Sequence, residues 1–315
     1  AFDGRVVANK TIKADNTFSY TLTGVNKPPG SYKIEVFIYP ITTTTAVTTG
    51  ITTGTPTSQI MNVAGTAAAT PDATTVILLS EPELTAELST SYAALGDDFK
   101  VTGTATGATE VTVLVVAPRG TGATGITADA QPGMPGLSLK VASVSTVDYT
   151  FSLKRDVDKT GIDTGRYLVV VISPGRDGGY GRWNAPTFLG AVTGTVTGKT
   201  QSELISIVED TCDPTLTDDL LWMGYISLET AFVRLDPIKD VGVGEPLIVS
   251  GTTNRKDGYP ITITVEGPTA LVPATVKVEN GTFNATFDTA GATVGTYTVK
   301  ADDGDGHTDE TTVEI

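Results

Sequence analysis

Few residues in this chain are equipped for chemistry, and their spacing narrows what they can do. There is one histidine, His307, and one cysteine, Cys212. A single histidine excludes a two-histidine metal centre and argues against a serine or cysteine triad. A single cysteine cannot form an internal disulfide. At the end of a predicted helix, Cys212 reads as a small buried hydrophobe. His307 lies in the acidic run Asp302-Asp303-Gly304-Asp305-Gly306-His307-Thr308-Asp309. Asp302, Asp303 and Asp305 are candidate ligands for a structural divalent cation such as Ca2+, which takes several oxygen ligands. The run lacks EF-hand spacing, and a tight acidic hairpin with both glycines at positive φ is the favoured reading over a specific cation site. Paired carboxylates could hydrolyse a glycosidic bond. With 36 acidic residues, however, pairs arise by chance. No other cofactor is indicated.

Two further groups could recognise or carry sugar. The loop Gly175-Arg176-Asp177-Gly178-Gly179-Tyr180-Gly181-Arg182-Trp183 places Arg176, Tyr180 and Trp183 together. Such a loop could bind a glycan or dock a neighbouring subunit, and packing of Trp183 against its own domain is the alternative. Asn9, Asn280 and Asn284 each begin an Asn-x-Thr sequon, an acceptor for N-glycosylation in an exported protein. Asn280 and Asn284 have the same parity, so on one strand they would share a face.

The elements that must position these residues form a repeat. Gly-x-Tyr opens an apolar strand three times, at Gly30-Ser31-Tyr32, Gly165-Arg166-Tyr167 and Gly295-Thr296-Tyr297. An alternating strand precedes each: Phe18-x-Tyr20-x-Leu22, Tyr149-x-Phe151-x-Leu153 and Phe283-x-Ala285-x-Phe287. A second block, Leu95–Thr104, recurs without a gap at Val243–Thr252. Each copy leads into a strand of period two, Val111-x-Val113-x-Val115 or Ile261-x-Ile263-x-Val265, as half-buried strands require. Repetition of a β unit points to an array. The last copy fits a seven-strand immunoglobulin-like sandwich, and its Gly-x-Tyr resembles the tyrosine corner of such folds. The expected fold is mainly β, with tandem immunoglobulin-like sandwiches at 1–83, 84–230 and 231–315. The first lacks the opening block and is expected to be partial.

A short helical insert is expected before the closing strand. Thr200 and Glu203 form a capping box, and Leu204, Ile207 and Val208 share a face of the helix that Cys212-Asp213-Pro214 ends. The apolar strands Thr74–Leu79 and Leu220–Leu228 then close their sandwiches and run on into the next.

Composition fits this reading. Charged residues make up 18% and the net charge is −15. Such a surface repels phosphate backbones, so nucleic acid is not an expected partner. No run of 18 apolar residues is present to span a membrane as a helix.

The runs Glu229–Asn254 and Val276–Phe283 resemble the large repetitive S-layer-type surface proteins of methanogenic archaea, which carry immunoglobulin-like repeats. The resemblance is strongest over 200–315. It implies an exported glycoprotein of the cell envelope without catalytic residues. The expectation is therefore a structural, non-enzymatic subunit of a cell-wall surface layer or sheath. It would lie outside the cell and self-assemble through domain edges and loops. The alternative is an adhesin or glycan-binding ectodomain using the 175–183 loop.

Overall fold

The computed structural model of the chain describes residues 8, 10, 12–21, 29–38, 53 and 70–315. Asn9 lies outside them. The chain divides into two compact units, 1–82 and 83–315. In the first, β1 (Gly30–Val36) pairs with β2 (Ala73–Leu79) in an antiparallel ribbon that sets Tyr32 opposite Ile77.

The second unit is mainly β and holds two immunoglobulin-like sandwiches. In the first of them, β3 (Leu84–Leu88), β5 (Asp98–Ala105) and β9 (Thr150–Asp156) form one sheet. The facing sheet has the order β4-β11-β10-β6-β8-β7. Its members are β4 (Tyr92–Ala94), β6 (Glu110–Val116), β7 (Ala130–Gln131), β8 (Met134–Ser143), β10 (Gly165–Ser173) and β11 (Leu220–Glu229). In the second sandwich, β12 (Val233–Leu235), β13 (Leu247–Thr253) and β16 (Thr282–Phe287) face the sheet β15-β14-β17-β18. These last are β14 (Pro260–Glu266), β15 (Ala274–Lys277), β17 (Thr296–Asp302) and β18 (Thr308–Glu314).

Alternation builds the cores. In β9 and β16 every second residue is buried, so Phe151, Leu153, Phe283 and Phe287 point inward. Full burial of each such side chain is worth about 1.5–3 kcal/mol. The two cores share no residue: one is drawn from 93–228 and the other from 233–315. The repeated glycines follow from close strand approach. A Cβ on Gly103 would lie 2.0 Å from Thr85 O, and one on Gly251 would lie 2.4 Å from Arg234 O. The Gly-x-Tyr motifs form tyrosine corners: Tyr167 Oη donates to Asp163 O (2.7 Å) and Tyr297 Oη to Thr293 O (2.8 Å). Both rings are fully buried, whereas Tyr32 is half-buried among the described residues.

Two expectations change. β6 and β10 are buried on both faces rather than one, because the insert covers the outer face of their sheet. Helix α1 (Phe188–Ala191) and helix α2 (Gln201–Thr211) supply Phe188, Leu204 and Val208 to a second core with Leu114, Val116, Leu168 and Val170. The capping box is formed, with Thr200 N donating to Glu203 Oε2 (3.0 Å) and Glu203 N to Thr200 Oγ1 (3.3 Å). Cys212 caps the far end, and burial pushes its thiol up to about 12. The second change is at 230–232, where the closing strand stops. β11 ends at Glu229 and β12 begins at Val233 in a different sheet.

Candidate functional site

The acidic run at 302–309 does not stand alone. It forms the β17–β18 turn of the second sandwich and meets the β13–β14 loop, which carries Arg255. The sequence there first ties down the linker: Asn254 Nδ2 donates to Thr230 O (3.0 Å), and its Oδ1 accepts from Phe232 N (3.0 Å). Thr253 Oγ1 donates to Phe232 O (2.6 Å) and accepts from Arg255 N (3.1 Å). Two polar residues in succession, Thr253 and Asn254, thus fix the linker and aim Arg255 at the neighbouring sandwich.

The side chain of Arg255 is fully buried, and each of its five N–H donors has an acceptor. Nε and Nη2 donate to Asp303 Oδ2 (2.9 and 2.6 Å), and Nη2 also reaches Asp305 Oδ2 (3.1 Å). Nη1 crosses to the first sandwich, donating to Leu95 O (2.6 Å) and Asp97 Oδ1 (3.3 Å). The guanidinium also sits 4.5 Å from the centre of the Tyr259 ring. Other bonds cross alongside. Lys256 N donates to Asp97 Oδ2 (2.8 Å), the Lys256 ammonium pairs with Asp98, and the Lys159 ammonium pairs with Asp305.

Electrostatics ranks these carboxylates. Burial works to raise Asp303, but the Arg255 guanidinium and the backbone N–H groups of Asp305 and His307 outweigh it, leaving Asp303 below the ordinary aspartate value. Asp305 is also lowered, chiefly by its bond to Lys159 and then by Tyr259. Asp97 moves the other way: burial raises it despite Lys256 N and Arg255. The phenol of Tyr259 is pushed up to about 12, first by burial and then by its bond to Asp305 (2.7 Å). The arrangement is a buried charged joint between two sandwiches.

The structure places Asp303 and Asp305 on Arg255 and Lys159, and Asp302 beside Lys300 (3.5 Å). Among the described residues no three His, Cys, Asp or Glu side chains are grouped to hold a metal ion. Asp303 and Asp305 thus take part in an ion-pair cluster whose positive charge comes from Arg255 and Lys159.

The 175–183 loop is dispersed rather than concerted. Tyr180 is buried, its Oη bonded to Thr112 Oγ1 (2.8 Å) and its ring edge-on to Phe188 at 6.1 Å. Arg176 holds Asp218 through N (2.9 Å) and Nε (3.4 Å). Trp183 is 71% exposed, with the Arg182 guanidinium 4.7 Å from its ring centre. Beside them lies a pocket of about 110 Å³ lined by Gly181, Arg182, Trp183, Thr211 and Leu216. Ligand pockets are commonly 300–1,000 Å³. Gly181 N donates to Asp219 Oδ2 (2.6 Å), while Asp219 Oδ1 is buried without a partner. Burial pushes Asp219 up to about 6, and the charges of Asp177 and Asp218 add to it.

Asn280 and Asn284 are both exposed, but they do not share a strand face. Asn280 occupies the turn before β16, at φ 50°, and only Asn284 lies on the strand.

Sequence reasoning missed Arg255, Lys256, Lys159, Tyr259 and the role of Asp97. The available signal was the Leu95-Gly96-Asp97 turn, already visible as part of the repeat.

No protein-family model matches the chain. It is similar to the cell surface glycoprotein of Halobacterium salinarum, 29% identical over 257 residues, which is 77% of this chain and 28% of that protein. It is also similar to the cell surface glycoprotein of Haloarcula marismortui, 30% identical over 190 residues, 56% of this chain and 21% of that protein. The chain thus spans about 28% of the length of the Halobacterium salinarum protein. Among solved structures, the crystal structure of DIP-gamma IG1+IG2 covers 75% of this chain and 96% of that one at 12% identity, with a TM-score of 0.22. The relatives are haloarchaeal, and they mark the chain as an archaeal protein of the cell surface. Among the described residues no helix is long and apolar enough to cross a membrane.

Proposed function

We propose that the chain is a structural, non-enzymatic segment of an archaeal surface layer or sheath. It acts by holding sandwiches in a fixed series and assembles with further copies through domain edges and loops. The observation that carries this reading is the joint: a short linker pinned by Asn254 and a buried arginine shared between two separate cores. A fixed orientation at that point suits a wall element that must transmit force from one sandwich to the next. The resemblance to methanogen surface-layer proteins and the similarity to haloarchaeal cell surface glycoproteins both support it. Asn284 and Asn280, exposed on the second sandwich, are the glycan acceptors in this reading, with Asn9 as a third. Acidic surfaces brought together on assembly would recruit divalent cations from solution.

A second reading, a glycan-binding ectodomain, draws on one observation: Trp183 stands exposed above its small pocket.

Electron micrographs of isolated envelopes, labelled with an antibody against this chain, separate the two. A periodic array carrying the label is the expected result. Label confined to scattered appendages, with saturable glycan binding by the purified chain, would favour the second reading.

A further inference from the structure

The turn that receives Arg255 has a counterpart at the far pole of the second sandwich, where its leading residue, Val243, is exposed. The turn Leu95-Gly96-Asp97, which receives Arg255, recurs 148 positions later as Val243-Gly244-Glu245. The backbone is the same: Gly96 has φ 90° and Gly244 φ 88°, and the turn closes through Asp97 N to Ala94 O (3.0 Å) or Glu245 N to Gly242 O (2.9 Å).

The surroundings differ. A Cβ on Gly96 would lie 3.0 Å from Arg255 Nη1, whereas one on Gly244 meets nothing within 4 Å. Leu95 is 7% exposed and Val243 45%. Val294 (77% exposed) and Val272 (84%) stand on the two adjoining loops. Gly244 N bonded to Thr289 Oγ1 (2.9 Å) and Thr269 Oγ1 bonded to Thr293 Oγ1 (2.8 Å) hold those loops together at one pole. Three exposed valines and the acidic Glu245 thus stand on the linked loops of this pole.

We infer that this pole is a docking surface for a further β-sandwich that presents an arginine from its β13–β14-type loop, as Arg255 is presented to Gly96 and Asp97. The occupant follows from the joint already in the chain: the same turn and the same glycine recur, with an acidic residue next in sequence, although the Glu245 carboxylate here accepts from Gly242 N of its own turn (2.9 Å) where Asp97 accepts from Arg255 and Lys256 N. A second copy of residues 1–315 cannot supply that arginine from Arg255, which is already buried in its own joint. The contact is head-to-tail and does not close on itself, so it extends a series. The inference rests on this geometry alone and stands whether or not the chain builds a layer.

The probe is the free sandwich 231–315, in which Arg255 is uncovered. It has its own two sheets and its own core, as an independently folding domain needs. Titrate it to millimolar concentration into the 315-residue chain labelled at valine methyl groups. The signals of Val243, Val272 and Val294 should shift saturably. Arg255→Met in the probe, or Gly244→Val in the chain, should weaken binding by about 30-fold or more. Absence of these shifts, or equal shifts with the Arg255→Met probe, overturns the inference. Should the free sandwich not give a folded spectrum, a duplicate of 231–315 placed directly after Ile315 gives the same readout. Unmoved valine signals there would be equally decisive against it.

Discussion

Arg255→Met removes the charge on which the joint is centred and keeps the length of the side chain. In the wild type all five N–H donors are used, three of them within the second sandwich on Asp303 and Asp305 and two across the joint on Leu95 O and Asp97. The variant leaves Asp303, with no exposed side-chain surface, as a buried anion without its main partner. Removing one member of a buried pair costs about 3–5 kcal/mol. Neither hydrophobic core includes Arg255, so both sandwiches should still fold. Denaturant unfolding of the 83–315 unit, followed by tryptophan fluorescence and by hydrogen exchange of the 253–260 loop, reads the loss. Asp97→Asn cuts only a crossing bond and should cost less, about 1–3 kcal/mol. The two changes should not add, because both act on one contact. High salt should alter the wild type little, since buried pairs are weakly screened. A loss below about 1 kcal/mol for Arg255→Met, with loop exchange unchanged, would refute the reasoning.

Asp219, raised to about 6 by burial, binds a proton more tightly folded than unfolded. Its contribution therefore favours the folded state at low pH and is lost as pH rises from about 4 through 6, a swing on the order of 3 kcal/mol. Asp219→Asn should flatten that slope and raise the melting temperature at pH 7; an unchanged slope would count against the assignment. Asp303 and Asp305 have the opposite sign: lowered below the ordinary aspartate value, they support the joint above about pH 4, and that support goes as pH falls through their folded values. Protection of residues 253–260 against hydrogen exchange should accordingly fall as the pH drops below about 4. Tyr297→Phe removes the hydroxyl that bonds both Thr293 O and Thr293 N, and should cost about 1–3 kcal/mol in reversible unfolding. Thr200→Ala should cost about 1 kcal/mol, visible as faster exchange in α2.

Much of the fold was legible because its signals are local. Gly-x-Tyr with a preceding alternating strand identified both tyrosine corners, and Thr200 with Glu203 identified the start of α2 within a few residues. The repeated glycines at 103 and 251 marked strand crossings too close for a Cβ. Where the sequence misled, the cause was distant. Val111-x-Val113-x-Val115 reads as a half-buried strand, yet Thr112 and Leu114 are buried too, because an insert some 90 residues later folds over them. The ion pairs of the acidic run at 302–309 were not legible either, because Arg255 and Lys159 lie far from it in sequence. Arg176, Tyr180 and Trp183 are neighbours in sequence, but the loop sends one into a core, one onto Asp218 and one into solvent.

The central claim is that two sandwiches with separate cores are held in one orientation by the Arg255 joint. Spin labels at Lys100→Cys and Lys277→Cys, both exposed and one on each sandwich, measure this directly, and the buried Cys212 thiol should not compete for label. Double electron–electron resonance should give one narrow distance distribution in the wild type and a broad one after Arg255→Met. A broad distribution in the wild type, or one unchanged by the substitution, would contradict the account.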